Sequence, residues 1–242
     1  MKAASAQRGQ GAAEFIVVFL SFAALMLGLF EMTRLYRAKH LLNTATFAAA
    51  RAGALHHARI DPMDAELANG MAALYVAGNS SVAGLGSGVA QARLFANIPG
   101  IGVDIVSPTR EAFDGLAQRQ WIRLDEGTEY GWRNVIPNDN LRWRPRNMAS
   151  ISVGGNTQPI NLQDANLLRI RSLWCHRLIV PALDRAIWAA VNILSPSNRQ
   201  NVCNAISNTA TNGIPSGFYL AIASDAILRM QSPVIRNDLP GS

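Results

Sequence analysis

The chain has 242 residues, 49% of them hydrophobic and 16% charged, with a formal net charge of +6 carried almost wholly by arginine. That much apolar material supports one medium domain and excludes a disordered tail. The arginines are spread along the chain and form no block of the kind nucleic-acid binding uses. Two cysteines, Cys175 and Cys203, with no CxxC spacing and no accompanying histidine pattern, carry no zinc-site signature.

Residues 15–30, FIVVFLSFAALMLGLF, contain no charged side chain. With Ala12, Ala13 and Glu14 they form a helix nearly long enough to cross about 30 Å of hydrocarbon. A polar leader holding Lys2 and Arg8 precedes them and is similar to the positive region of an export signal. The small-x-small site of a secretory peptidase occurs only as Ser21-Phe22-Ala23, inside the run, so secretory cleavage is not expected. Lys2 and Arg8 face Arg34, Arg37 and Lys39 across the span, which leaves orientation open on charge alone; a long domain translocates largely regardless of such charges.

Glu14 stands at the edge of the apolar run. At a membrane centre a carboxylate costs about 2.5 to 3.5 kcal/mol. One reading places it among the headgroups, where it favours the helix N-terminus through the macrodipole. The other makes it functional, as intramembrane carboxylates are by default. The run Arg8-Gly9-Gln10-Gly11-Ala12-Ala13-Glu14-Phe15 resembles the class III signal of type IV prepilins and pseudopilins. The resemblance implies that a prepilin peptidase cuts between Gly9 and Gln10 on the cytoplasmic side. It also implies that Glu14 pairs with the freed α-amine at Gln10 of a neighbouring subunit, a contact worth far more in a low dielectric than in water.

Beyond residue 30 no proline interrupts the chain until Asp61-Pro62, and Gly53 is the one breaker. A helix over 12–58 would extend roughly 70 Å, so its second half must project from the bilayer. Ala45, Ala48, Ala49, Ala50, Ala52 and Ala54 suit close helix approach, and alanine is also the best helix former; either accounts for them.

The sequence GQGAAEF, the apolar run, then Glu31, Arg34, Leu35, Tyr36 and Ala49-Ala50-Arg51-Ala52-Gly53 together resemble the TadE-like family, pseudopilins of the tight-adherence (Tad) system. Residues 166–181 and 224–232 are similar to the strand-then-proline segment and the closing strand of its larger members. The stretch 77–163 resembles no known pattern. The family implies a minor pilin or pseudopilin in assembly of a Tad (Flp, type IVc) pilus. Its partners would be the prepilin peptidase, the major pilin and other pseudopilins, the Tad assembly platform and the membrane. It also implies a single pass in the bacterial inner membrane and a C-terminal domain in the periplasm, with an extracellular pilus as a further destination.

The expected fold class is α+β: a long N-terminal transmembrane helix extending into a periplasmic domain with short helices packed on an antiparallel sheet. The expected divisions are a leader at 1–9, a helix at 10–60 and an extracytoplasmic domain at 61–242. Within that domain, Asp61 is expected to cap a helix that opens at Pro62, with a similar start at Ser107-Pro108. The glycines of 78–88 read as a loop, with no strand before them and no phosphate-binding Lys-Ser/Thr after them. Trp121, Trp132 and Trp143, eleven residues apart, read as successive strands of a meander with their rings in one core, and Pro137, Asn138 and Asp139 as a turn. Residues 167–173 alternate as a strand, Arg169 and Arg171 on one face, Leu168 and Ile170 on the other. Pro181 opens an amphipathic helix, and Cys203 falls in the loop beyond it. In an oxidising periplasm Cys175 and Cys203 are expected to join, tying that loop to the strand for about 3 to 4 kcal/mol.

Catalysis finds no motif. His40, His56, His57 and His176 lack a nucleophile or acid partner at motif spacing, and the His56-His57 pair suits a helix end. Asp114, Asp125, Glu126 and Glu129 include carboxylates of the type glycosidases use, with no spacing that marks a pair. No enzyme activity, cofactor, metal or nucleic acid is expected. The competing reading is an uncleaved, membrane-tethered periplasmic binding or adhesion module.

Overall fold

The computed structural model describes residues 10–76, 82–124, 129–144, 146, 148–153, 156–194, 197–207 and 214–241. It is a mixed α+β structure built on one long helix, α1 (Gln10–Leu55). The leader at 1–9, including Gly9, lies outside the described residues.

After α1 come α2 (Ile60–Met71), a short 3-10 turn (Ala72–Leu74), α3 (Val82–Ala96), β1 (Gly102–Ser107) and α4 (Arg110–Leu116). Two hairpins follow, β2 (Gln118–Ile122) with β3 (Gly131–Val135) and β4 (Ala149–Val153) with β5 (Asn156–Ile160). The chain continues through α5 (Leu162–Ala165), β6 (Leu167–Arg177), α6 (Leu183–Leu194), α7 (Asn198–Ser207) and β7 (Tyr219–Arg229). The main sheet is antiparallel in the order β1-β6-β7, with Leu168 opposite Leu228 and Arg177 opposite Tyr219.

The core joins this sheet to the distal half of α1. Ala38, Leu42, Ala45, Ala49, Ala50 and Ala54 are buried together with Met63 and Leu67 of α2 and Leu168, Ile170 and Trp174 of β6. The alanines are there for proximity. A Cβ added at Gly70 of α2 would sit 2.5 Å from that of Ala45, and one at Gly53 of α1 would sit 2.5 Å from Met63 Sδ and 2.9 Å from Leu168 Cδ2. Phe95, Trp174, Tyr75 and Tyr219 fill one end, their rings in contact at 5.3 to 6.4 Å.

The C-terminal segment closes the far end of α1. The Ser232 hydroxyl donates to Ala54 O and accepts from His57 N, while Gln231 N and Ser232 N also donate to Ala54 O. His57 and Ala58 then take left-handed backbone angles, both φ 60. His57 thus serves as a clamp, its Nδ1 2.8 Å from Pro233 O and its Nε2 against Leu124 O.

Several expectations are corrected. Helix α2 starts at Ile60 and not at Pro62; its first N–H is satisfied from afar, by Asp238 Oδ2 at 2.9 Å, and the expected cap Asp61 lies inside the first turn. Beside the cis Ser107-Pro108 bond it is Thr109 that caps α4, accepting from Ala112 N at 3.3 Å. Of the glycine-rich stretch 78–88, residues 78–81 lie outside the described residues, and 82–88 are helical, not a loop. Glycine there answers a close approach: a Cβ at Gly88 would meet Ala72 O and Val76 Cγ2 at 3.0 Å. Cys203 lies on α7, not in a loop, and Ala182 turns through φ 71 before α6 begins at Leu183.

The three tryptophans are not core residues. Trp121, Trp132 and Trp143 are 55%, 59% and 81% exposed. Trp121 and Trp132 face each other across the β2–β3 hairpin, rings edge-on at 5.6 Å, with Arg119 over Trp132 at 5.6 Å. Trp143 lies outside any strand, under Arg142 at 5.5 Å. The main core is filled by the Phe95–Trp174 cluster instead, and these exposed rings make their contacts with each other and with guanidinium planes: Trp121 with Trp132, Arg119 over Trp132 and Arg142 over Trp143.

Candidate assembly helix and its seat

The two halves of α1 meet different surroundings. Over residues 15–30 the large apolar side chains point outward all round the helix, with Phe15, Val18, Leu20, Leu25 and Phe30 between 56% and 68% exposed. The helix is long and apolar enough to cross a bilayer, and that stretch fits a membrane anchor. Glu14 stands on the exposed surface one turn into the helix, near its amino end.

Glu31, one residue past the uncharged run, is only 1% exposed. Its Oε2 accepts from Val180 N at 3.2 Å and Ile179 N at 3.4 Å, in the segment leaving β6, and its Oε1 meets Arg34 Nη1 at 3.3 Å. A buried carboxylate held by two backbone donors and a guanidinium fixes where the helix enters the domain. Further on, Lys39 Nζ donates to Ala223 O of β7. Sequence reading placed Glu31 and Arg34 in the family pattern but assigned them no role. The signal was there: an acidic residue ending an apolar run, with arginine three positions later.

At this same end of the domain is a cleft of about 340 Å³, lined by Arg34, Arg37, Tyr75, Trp174, His176 and Arg177 among others. Trp174 Nε1 donates to the Tyr75 hydroxyl at 3.1 Å, and burial pushes that hydroxyl's pKa up. Burial, aided by Arg34, lowers the His176 pKa to about 4, and its Nε2 has no hydrogen-bond partner. Cys175 and Cys203 form the expected disulfide, Cα atoms 5.5 Å apart, joining β6 to α7.

The histidines and acids offered as catalytic candidates are dispersed. His57 clamps the tail and His176 lines the cleft. Asp114 pairs with Arg236 at 2.9 Å, which lowers its pKa. Asp125 and Glu126 lie outside the described residues.

Residues 9–51 match the family model described as TadE-like protein. The N-terminal helix is TadE-like. The match begins at Gly9, covers the exposed apolar run with Glu14 and the Glu31–Arg34 pair, and ends within the alanine-rich half of α1. The sheet and hairpins lie beyond the TadE-like segment. No curated protein and no solved structure matches the chain.

Proposed function

We propose that this chain is a minor pilin or pseudopilin of a Tad pilus, a structural subunit without enzymatic activity. On this reading the leader at 1–9 is removed between Gly9 and Gln10 by a prepilin peptidase. The helix holds the subunit in the inner membrane, and the domain from residue 61 on stands in the periplasm. The observation that carries it is the TadE-like match starting at the glycine of the expected cut, on a helix that is exposed and apolar over residues 15–30. Glu14 then pairs with the α-amine of Gln10 in an adjacent subunit and sets the register in which helices stack. Partners are the major pilin, sister pseudopilins and the Tad assembly platform. The disulfide supports a domain in an oxidising compartment.

The test is the N-terminal residue of the protein recovered from membranes, read by mass spectrometry in cells with and without prepilin peptidases. A start at Gln10 that depends on the peptidase is expected, together with loss of pilus assembly in Glu14→Ala. A start at Met1 in both strains, or normal pili in that mutant, overturns the reading in favour of an uncleaved tethered module. The Trp121–Trp132 pair, an aromatic surface exposed among the described residues, is the feature that supports that second reading.

A further inference from the structure

Helix α6 turns part of its apolar face away from the domain, while Leu183, Ile187, Trp188 and Val191 are half-buried. It is strongly amphipathic, and none of its residues is buried. The side held by the domain carries its polar anchors: Trp188 Nε1 donates to Asn204 Oδ1 at 2.8 Å, Asn204 Nδ2 donates to Asn192 Oδ1 at 2.6 Å, and the Trp188 ring lies 5.4 Å from Phe218. The side turned away carries Ala186, Ala190, Ile193 and Leu194, the last two 79% and 80% exposed, with Arg185 at its edge. A helix facing water would keep that side polar.

Its location names what covers that face. Residues Ile179 and Val180, just before α6, hang from Glu31, directly after the uncharged run of α1. In the middle of α6, Trp188 packs on Phe218, whose carbonyl accepts from Leu178 N at the same end of β6. Helix α6 therefore lies across the end of the domain nearest the anchor. Ile179, 54% exposed, continues its apolar surface. Beside it the cleft contributes Arg34, Arg37 and Arg177, and among the described residues no carboxylate lines that cleft. Arg34 and Arg37 follow Phe30 by four and seven helical residues, about 6 and 10 Å along the axis. The polar layer of a leaflet is about 5 to 7 Å thick, so their guanidiniums reach lipid phosphate depth.

We propose that α6 is a second membrane contact, an interfacial helix lying on the bilayer with Ala186, Ala190, Ile193 and Leu194 turned into it. The cleft arginines meet lipid phosphates alongside. Such helices sink their apolar face into the headgroup–acyl boundary. The domain is thereby seated at two points, the span and α6, and its tilt on the membrane is fixed instead of free.

The inference rests on α1 spanning the membrane, so the experiment carries a probe for each. The full chain is labelled with an environment-sensitive fluorophore at Ile193→Cys, at Leu25→Cys inside the span, or at the exposed Met148→Cys, one residue before β4, the strand that packs on α4. Each variant is placed one chain per nanodisc, with or without acyl-chain spin-labelled lipid. The native cysteines are joined to each other and do not react. Expected are a blue shift and strong quenching at positions 25 and 193, and none at 148. Quenching at 25 without quenching at 193 overturns the α6 proposal and leaves the anchor standing. Quenching at neither overturns both. A blue shift at 193 that appears only with two chains per disc, without lipid quenching, assigns the face to a second copy and also overturns the proposal.

Discussion

The two halves of α1 are one unbroken helix, yet the same small residues do opposite things in them. A Cβ added at Gly28 would meet nothing within 4 Å, whereas one at Gly53 would collide with Met63 and Leu168. Side chains are exposed on every side over residues 15–30, but from Ala38 to Ala54 a single stripe of the helix is sealed against α2 and the sheet. A helix apolar and exposed on every side fits a membrane anchor, while a helix that carries a domain must commit its surface to it. Glu31 marks the boundary.

The largest way to break that contrast is at the boundary itself. Replacing Glu31 by alanine strands the Val180 and Ile179 N–H groups and loosens the join between helix and domain. The expected cost is roughly 2 to 4 kcal/mol, read as a lowered denaturation midpoint in detergent together with faster amide exchange at 179 and 180. Glu31→Gln keeps an acceptor and should retain most of the stability. If the alanine variant unfolds like the parent, the carboxylate is not what seats the helix.

A smaller effect separates the two glycines. Gly53→Ala gains helix propensity but forces a methyl into a place where Met63 is wholly buried and cannot swing clear. The net loss should be about 1 to 2 kcal/mol. Gly28→Ala meets open space and should lie between no change and a gain of about 1 kcal/mol. Equal effects at both positions in matched thermal melts would erase the distinction between the halves.

Much of this was legible in order along the chain. The length of α1 followed from the missing prolines, and β6 followed from the alternation of Leu168 and Ile170 against Arg169 and Arg171; both signals are local. The joining of Cys175 to Cys203 is the pairing expected if the domain stands in an oxidising compartment, and the two are bonded. What escaped depended on partners distant in sequence. Asp238 satisfies the start of α2 from 178 positions away, and Gly88 is a glycine because Ala72 and Val76 lie against it. The even spacing of Trp121, Trp132 and Trp143 suggests core periodicity, but Trp121 and Trp132 are 55% and 59% exposed. It reflects a cross-strand pair in a hairpin whose outer surface is left exposed among the described residues.

The finest test uses acid, because two groups packed around the distal half of α1 have pKa shifts of opposite sense. Asp64 of α2 accepts from Val103 N at 2.9 Å, and burial raises its pKa to about 6. Between pH 4 and 6 the folded chain therefore holds a proton there that the unfolded chain has released, and this contribution to stability declines as pH rises. His176, buried beside Arg34, falls to about 4, so between pH 4 and 6.5 it is the unfolded chain that binds the extra proton, and stability declines as pH falls. The two slopes oppose each other over nearly the same range. Discounted for the solvent that still reaches Asp64, each is on the order of 1 kcal/mol. Asp64→Asn should unmask His176, giving a protein that loses stability on going from pH 6.5 to 4.5. His176→Gln should do the reverse and gain stability over the same acidification. Thermal melts of both variants across that range check the signs; parallel curves would mean that neither group feels the packing around α1.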